Sequence, residues 1–327
     1  MPKFEVSFHG ATDVGRKRDN NEDTFIARKI WDDNHILLVA IDGMGGEEGG
    51  EVAAEIAEKA IARYLDENRE GSNSILIRNA VARANDEIIA EKKTNTHLRK
   101  MGCVATAGLM DLEEGTLSIA HVGDSRLYRL SGGVLEKLTH DHSMVGYQEE
   151  QGLISEEEAM HHPMRSVIDR CLGYYELSRE GKHFIDTSIF HLVDGEVFLF
   201  CSDGLCDMLR SVEISEILGE DGSTEQKCDD LIKAANEAGG KDNVTVVVAE
   251  VRNKEKPKVN YDPNNSSEDL TTITDNISDN TGQTEDSLPL SEKKKWSTLA
   301  WVLFILDIGF VFVMCFIAYL VWGRQGQ

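Results

Sequence analysis

The sequence predicts an α+β domain, with antiparallel sheets covered by helices, followed by a polar linker and one C-terminal membrane-spanning helix. Three observations predict it. Short β-like runs follow one another between Phe4 and Val251, two long segments within that region repeat apolar residues at helical spacing, and an almost wholly apolar stretch closes the chain.

The β-like runs fall at 4–9, 34–41, 103–110, 116–121, 125–130, 184–192, 196–201 and 243–251. Each is short and rich in β-branched or aromatic residues. Polar turns such as "DLEEG" and "LSGG" separate several of them, too short for a crossover helix, so the spacing predicts antiparallel hairpins. Two helices are predicted at 50–68 and 74–93. Val52, Ile56 and Ile61 repeat at helical spacing in the first, and Ile77, Val81 and Ile88 in the second. A further pair is expected within 143–161 and 211–238. Strands that pair locally, with helices to cover them, give the α+β class.

At residue 253 the composition changes. The segment 253–295 is rich in Asn, Asp, Ser and Thr, has few large apolar residues, and ends in Lys293, Lys294 and Lys295. Such a composition buries too little to fold and reads as a linker, with an end-to-end reach of about 35 Å. Residues 296–322 are apolar apart from Asp307 and a few small polar side chains, which is long enough for a hydrocarbon core of about 30 Å. Trp296, Trp301 and Trp322 suit the interfaces, and the three lysines outnumber the lone Arg324 beyond the span. The expected topology puts the domain of residues 1–252 in the cytosol, on a single-pass anchor in the cell membrane, with a short tail, 323–327, outside. Asp307 costs about 3 kcal/mol if it faces lipid, which makes it a candidate either for a helix–helix contact or for a protonated or snorkelling bystander.

The formal charge of −24 on 327 residues repels nucleic-acid phosphates, so direct nucleic-acid binding is not expected. The hydrophobic and charged fractions, 41% and 28%, are those of a folded protein. Cys103, Cys171, Cys201, Cys206, Cys228 and Cys315 form no close pair of the zinc or redox type, as expected of free thiols in a reducing compartment.

Four aspartates stand where apolar runs meet turns: Asp42 in "LLVAIDGMGG", Asp124 in "IAHVGDSR", Asp203 in "VFLFCSDGL" and Asp242 in "GGKDNVTVVV". Carboxylates at strand ends, with glycines that let backbone approach closely, are hard ligands of the kind Mg²⁺ or Mn²⁺ takes. No twelve-residue EF-hand loop occurs among them. Upstream, "GRKRDNNEDTF" sets Arg18, whose planar fork matches a phosphate monoester, close to Glu22 and Asp23. Adjacent residues on a strand point to opposite faces, so one of these acids can serve a site while its neighbour serves the scaffold.

Together the motifs Arg18-x-x-Asn21-Glu22-Asp23, Asp42-Gly43-Met44-Gly45-Gly46, Gly123-Asp124-Ser125-Arg126, Ser202-Asp203-Gly204-Leu205 and Asp242-Asn243 resemble the PP2C-type (PPM) metal-dependent protein serine/threonine phosphatases. The stretches "MGCVATAGLM", "LTHDHSMV" and "EEQGLISEEEAMHHPMRSVIDRCLG" are similar to the bacterial branch. The resemblance covers about residues 5–252. It implies a β-sandwich of two antiparallel sheets flanked by helices, and a water that bridges two Mn²⁺ or Mg²⁺ ions and attacks phosphorus in line. By the same resemblance Asp42 bridges the ions, the Gly43 carbonyl serves one, and Asp203 and Asp242 serve the other. Glu22 and Asp23 act through waters, Asp124 with Asp203 forms a third, weaker site, and Arg18 holds the phosphoryl group.

The chain departs from the family pattern at Met44, where many relatives have a histidine that serves as general acid. A thioether donates no proton, which leaves protonation of the leaving group to water at the metal centre. Glu47 stands where bacterial relatives often have histidine. His162, in the segment resembling the family's mobile flap, is a candidate substrate contact, whereas His121, His140 and His142 are read as structural or surface residues. Expected partners are phosphorylated proteins, and the resemblance implies membrane serine/threonine kinases and their targets as candidates. The rival reading is a catalytically silent scaffold of the same fold that binds phosphoproteins.

Overall fold

The computed structural model describes residues 3–45, 49–177 and 184–254. Glu47, the linker beyond residue 254, Lys293–Lys295, and the expected span with Asp307 lie outside the described residues. Among those described, no helix is long and apolar enough to cross a membrane.

Among the described residues ten strands build two sheets. They are β1 (Phe4–Asp13), β2 (Asp23–Lys29), β3 (His35–Met44), β4 (Gly102–Asp111), β5 (Thr116–Val122), β6 (Arg126–Ser131), β7 (Val134–Lys137), β8 (Asp186–His191), β9 (Val197–Cys201) and β10 (Val244–Asn253). One sheet runs β1-β10-β9-β6-β7 and the other β2-β3-β4-β5-β8, and the paired strands in both are antiparallel. Helices α1 (Gly50–Glu67) and α2 (Asn73–Thr94) pack on the second sheet. Two short helices, α3 (Met144–Glu150) and α4 (Glu156–Met160), follow β7, and α5 (Asp203–Cys206) follows β9 directly. Then α6 (Ser211–Gly219) and α7 (Thr224–Glu237) cover the first sheet. The fold is the expected α+β arrangement of two antiparallel sheets flanked by helices.

Period-two alternation sorts each strand between two layers. On β3, Leu37, Val39 and Ile41 face the helices α1 and α2, and Ile36, Leu38 and Ala40 face the other sheet. On β10, Val244, Val246 and Val248 face α6 and α7, while Val247, Ala249 and Val251 face inward. Strands apolar on both sides make continuous runs, which is why β3 and β10 were visible in the sequence.

Strands β2 and β7 were not. The outward face of β2 carries Thr24 and Arg28, which bond Glu58 and Asp66 of α1 at 2.8 and 2.9 Å, so its apolar pattern is interrupted. β7 is a four-residue edge strand with Val134 exposed. Each of the two later helical segments divides in two. Gly152, at φ 66°, separates α3 from α4, and the turn before α7 ends in a capping box of Ser223 and Gln226.

Phe200 is fully buried between the sheets. Phe200→Ala should lower the unfolding free energy by about 3–5 kcal/mol in a denaturant titration. A loss below about 1 kcal/mol would contradict this packing.

Candidate metal centre

The same alternation that fills the sandwich ends it in carboxylates. Following the inward row of β3 through Ile36, Leu38 and Ala40, the next inward position is Asp42. On β2, Phe25 and Ala27 pack against the inner layer and Asp23 continues their row, directly opposite Asp42 in the ladder. The first sheet meets them with Ser202 beyond β9 and Thr245 on β10, whose hydroxyl lies 2.7 Å from that of Thr12. The apolar inter-sheet layer thus becomes polar at one end of the sandwich.

A cavity of about 580 Å³ opens there, lined by Arg18, Glu22, Asp42, Gly43, Met44, Asp124, Asp203, Asp242 and Asn243, with Val104, Ser166 and Ile168 on its walls. Seven of the eight predicted residues other than His162 therefore line one cavity, and the eighth, Asp23, is buried beside it. His162 is not among its lining residues. As expected of neighbours on a strand, the two acids divide. Glu22 faces the cavity and the start of α1, while Asp23 lies inward toward Ser202 and Thr245.

The close packing of Glu22 on α1 depends on Gly43. Its backbone N–H donates to the Glu22 carbonyl at 3.1 Å, and a Cβ at this position would lie 2.2 Å from the Gly50 carbonyl. Only glycine permits that approach, which also leaves the Gly43 backbone open to the cavity.

Asn243 clamps the N-terminal loop. Its Nδ2 donates to the carbonyls of Val14 and Asn20, both at 2.9 Å, and its Oδ1 accepts from the Glu22 amide at 2.8 Å. Arg18, half exposed, donates to Asp242 Oδ2 at 2.7 Å. In the sequence Asn243 is visible only as a member of the Asp242-Asn243 motif, with no role of its own. Its partners lie more than two hundred residues away, so nothing local marks the clamp. Arg165 was likewise unassigned, and it pairs with Asp207 at 2.6 Å beside Asp203.

Electrostatically the cluster is incomplete. Burial, followed by the charges of Asp23 and Asp203, pushes Asp42 well above the ordinary carboxylate range. Burial and then Asp203 do the same to Asp124, and burial and Asp242 raise Asp203. Burial lifts Asp23 to about 7 against the hydrogen bonds of Ser202 and Thr245, and lifts Asp207 to about 7 despite Arg165. Glu22 is raised by burial and by Glu51. Asp23 Oδ2 is buried with no hydrogen-bond partner. Among the lining residues the only positive charge is Arg18, whose side chain is 50% exposed. Like charges held this close require either protons or external cations.

The donor set fits a divalent cation. It consists of carboxylates and a backbone carbonyl, hard oxygen ligands, and the lining holds no imidazole or thiolate. Among the described residues no three such side chains already converge as a closed chelate.

A family model for protein phosphatase 2C matches residues 14–280. The chain belongs to the protein phosphatase 2C family. It is therefore a phosphatase. The serine/threonine phosphatase stp of Listeria monocytogenes is 36% identical over 247 residues, covering 73% of this chain and 93% of that protein. PstP of Mycobacterium tuberculosis is 36% identical over 252 residues, 75% of this chain and 45% of PstP. The crystal structure of the PstP catalytic domain in complex with two manganese ions superposes with a TM-score of 0.66 at 32% identity, covering 76% of this chain and all of that one. A bacterial serine phosphatase superposes with a TM-score of 0.69 at 30% identity, over 77% of this chain.

Acids with raised folded-state pKa values favour the folded protein while protonated. Their contribution is full below the unfolded value near 4 and is lost as pH rises through the folded one. For Asp23 that window runs from about 4 to about 7. The metal-free protein should therefore melt at progressively lower temperature between pH 5 and pH 8, each kcal/mol being worth about 2–4 °C. Excess Mn²⁺ should restore the loss at pH 8. A flat metal-free profile by differential scanning calorimetry would contradict the charge imbalance.

Proposed function

We propose that this protein is a membrane-anchored serine/threonine phosphatase, facing the cytosol, that hydrolyses phosphoserine and phosphothreonine in proteins by an in-line attack of water. The observation that carries the reading is the convergence of Asp42, Asp203 and Asp242 with Arg18 on one cavity, where buried negative charge has no sufficient internal counterion. In this reading Asp42, Asp203 and Asp242, with the Gly43 carbonyl, would hold two Mn²⁺ or Mg²⁺ ions. Asp124 with Asp203 serves a third. Bound divalent cations supply the positive charge that acidifies a water and offsets the charge on the phosphoryl oxygens.

The protein's own groups do the rest. The Arg18 guanidinium, half exposed and tethered to Asp242, reaches the cavity with donors to spare for phosphoryl oxygens. Glu22 and Asp23 would orient water by accepting hydrogen bonds from it, Glu22 from the cavity wall and Asp23 from behind it. Met44 lines the cavity but holds no proton, so the leaving alkoxide takes its proton from solvent rather than from that side chain. Asn243 fixes the loop carrying Arg18 and Glu22 against the turn carrying Asp242.

The anchor reading rests on the apolar sequence 296–322 between tryptophans and on the lysines before it. A tether confines the enzyme near the bilayer and raises its effective concentration toward phosphorylated membrane proteins, serine/threonine kinases among them.

The purified full-length protein in detergent should hydrolyse a phosphothreonine peptide with Mn²⁺ and lose turnover in EDTA. Asp203→Asn should lower kcat/KM by about 10³-fold, the several kcal/mol expected of a cation at the reacting centre. No turnover from the folded, Mn²⁺-supplied protein would favour a phosphoprotein-binding scaffold instead. In cells the protein should stay in the membrane pellet after alkaline carbonate washing, and its release by that wash would contradict the anchor.

A further inference from the structure

Asp124 sits on a turn whose two flanking residues are each tied to a buried histidine. On one side, the Gly123 N–H donates to His142 Nδ1 at 3.0 Å, and the His142 N–H donates to the Gly123 carbonyl at 2.8 Å. Gly123 has φ 111°, and a Cβ there would lie 2.1 Å from Val104, so the turn has little freedom of its own choosing. On the other side, the Ser125 hydroxyl lies 2.8 Å from Thr106 Oγ1, which lies 2.9 Å from His121 Nδ1. Ser125 and Thr106 are fully buried, His121 is 1% exposed and His142 7%. The two imidazoles stand 4.9 Å apart, centre to centre.

The hydrogen bonds fix the protonation pattern. His142 Nδ1 accepts from Gly123, so the ring proton is on Nε2, which lies 3.1 Å from Asp186 Oδ2 and 3.2 Å from Arg170 Nη1, while Arg170 donates to the other oxygen of Asp186 at 3.1 Å. His121 Nε2 faces the His140 carbonyl at 3.0 Å, which leaves its Nδ1 to accept from Thr106. His142 has a third connection. Its carbonyl accepts from the Asp169 amide at 2.7 Å, and the adjoining Ser143 bridges to Ile168, a wall of the metal cavity.

We propose that His142, seconded by His121, is a positioning residue for Asp124, holding the Gly123–Ser125 turn at the metal cavity and docking the 166–170 segment to the same point. The required chemistry is a neutral acceptor at the Nδ1 position. A cation there would turn two donors toward each other, and an apolar side chain would leave the buried Gly123 amide unpaired. This inference rests on the metal-centre reading, and concerns the affinity of the weaker ion site to which Asp124 contributes.

The test is a Mn²⁺ titration of the full-length protein in detergent, followed by electron paramagnetic resonance of the free ion. His142→Leu should weaken the weakest class of Mn²⁺ sites by about 10- to 100-fold, the range for losing a group that orients a ligand, and should match Asp124→Asn. His142→Asn places an amide oxygen where Nδ1 stood and should recover affinity to within about threefold of the native protein. Ile214→Ala, buried against the far helices, gives a control destabilised without touching the turn, and its isotherm should not move. An unchanged isotherm in His142→Leu, or no recovery in His142→Asn, would overturn the proposal. Should His142→Leu fail to fold, Thr106→Val carries the same expectation from the other side of the turn, and a native-like isotherm would overturn it equally. A native protein that takes up no Mn²⁺ would sink the metal-centre reading and this inference with it, whereas normal uptake with an unmoved His142→Leu isotherm would sink this inference alone.

Discussion

The structure depends on a charge imbalance that the fold creates and cannot correct from within. Antiparallel strands force every second side chain into the layer between the sheets, and along most of that layer the residues are apolar. At one end the rows of β2 and β3 finish in Asp23 and Asp42, face to face across a ladder, and the turns beside β5, β9 and β10 add Asp124, Asp203 and Asp242. Desolvating carboxylates together is costly unless cations compensate. Arg18, with half of its side chain in solvent, and Arg165, paired with Asp207, are too little. Stability of the sandwich end and the capacity to bind divalent ions are thus the same property.

The frame around this imbalance is correspondingly rigid. Buried strands carry the carboxylates at their ends, a glycine admits the start of α1 against Glu22, and Asn243 pins the loop that carries Arg18 and Glu22. Helix α5 begins at Asp203, immediately after β9, so that the carboxylate is held by strand and helix at once. In the proposed reaction such held groups would matter, because only groups already in place when charge develops on the phosphoryl oxygens lower the barrier without reorganisation. Another part of the wall, carrying Ser166 and Ile168, is joined to the Asp124 turn through His142, whose carbonyl accepts from the Asp169 amide.

What the sequence disclosed follows period and proximity. β3, β4, β9 and β10 were legible because both of their faces are buried, and α1 and α2 because one stripe of each is. The aspartates were legible as a set because each stands within a few residues of an apolar run. β2 was hidden by the polar face it turns to α1, and β7 by being a short edge. The division of labour between Glu22 and Asp23 was foreseeable from strand geometry, but not which acid would take which side. The roles of Asn243 and His142 were not visible at all, since their bonding partners come from distant turns and only the folded chain brings them together. His121 and His142 were read as structural or surface residues. Both are buried, and His142 hydrogen-bonds Gly123, beside Asp124.

The most direct test of the central claim, that the carboxylate end of the sandwich is completed by divalent cations, is an anomalous difference map at the manganese edge from crystals of the protein grown with Mn²⁺. The account predicts anomalous peaks inside the cavity, against the carboxylates of Asp42, Asp203 and Asp242 and the Gly43 carbonyl. Ordered carboxylates at the same place with no manganese between them, or manganese bound only elsewhere, would contradict it.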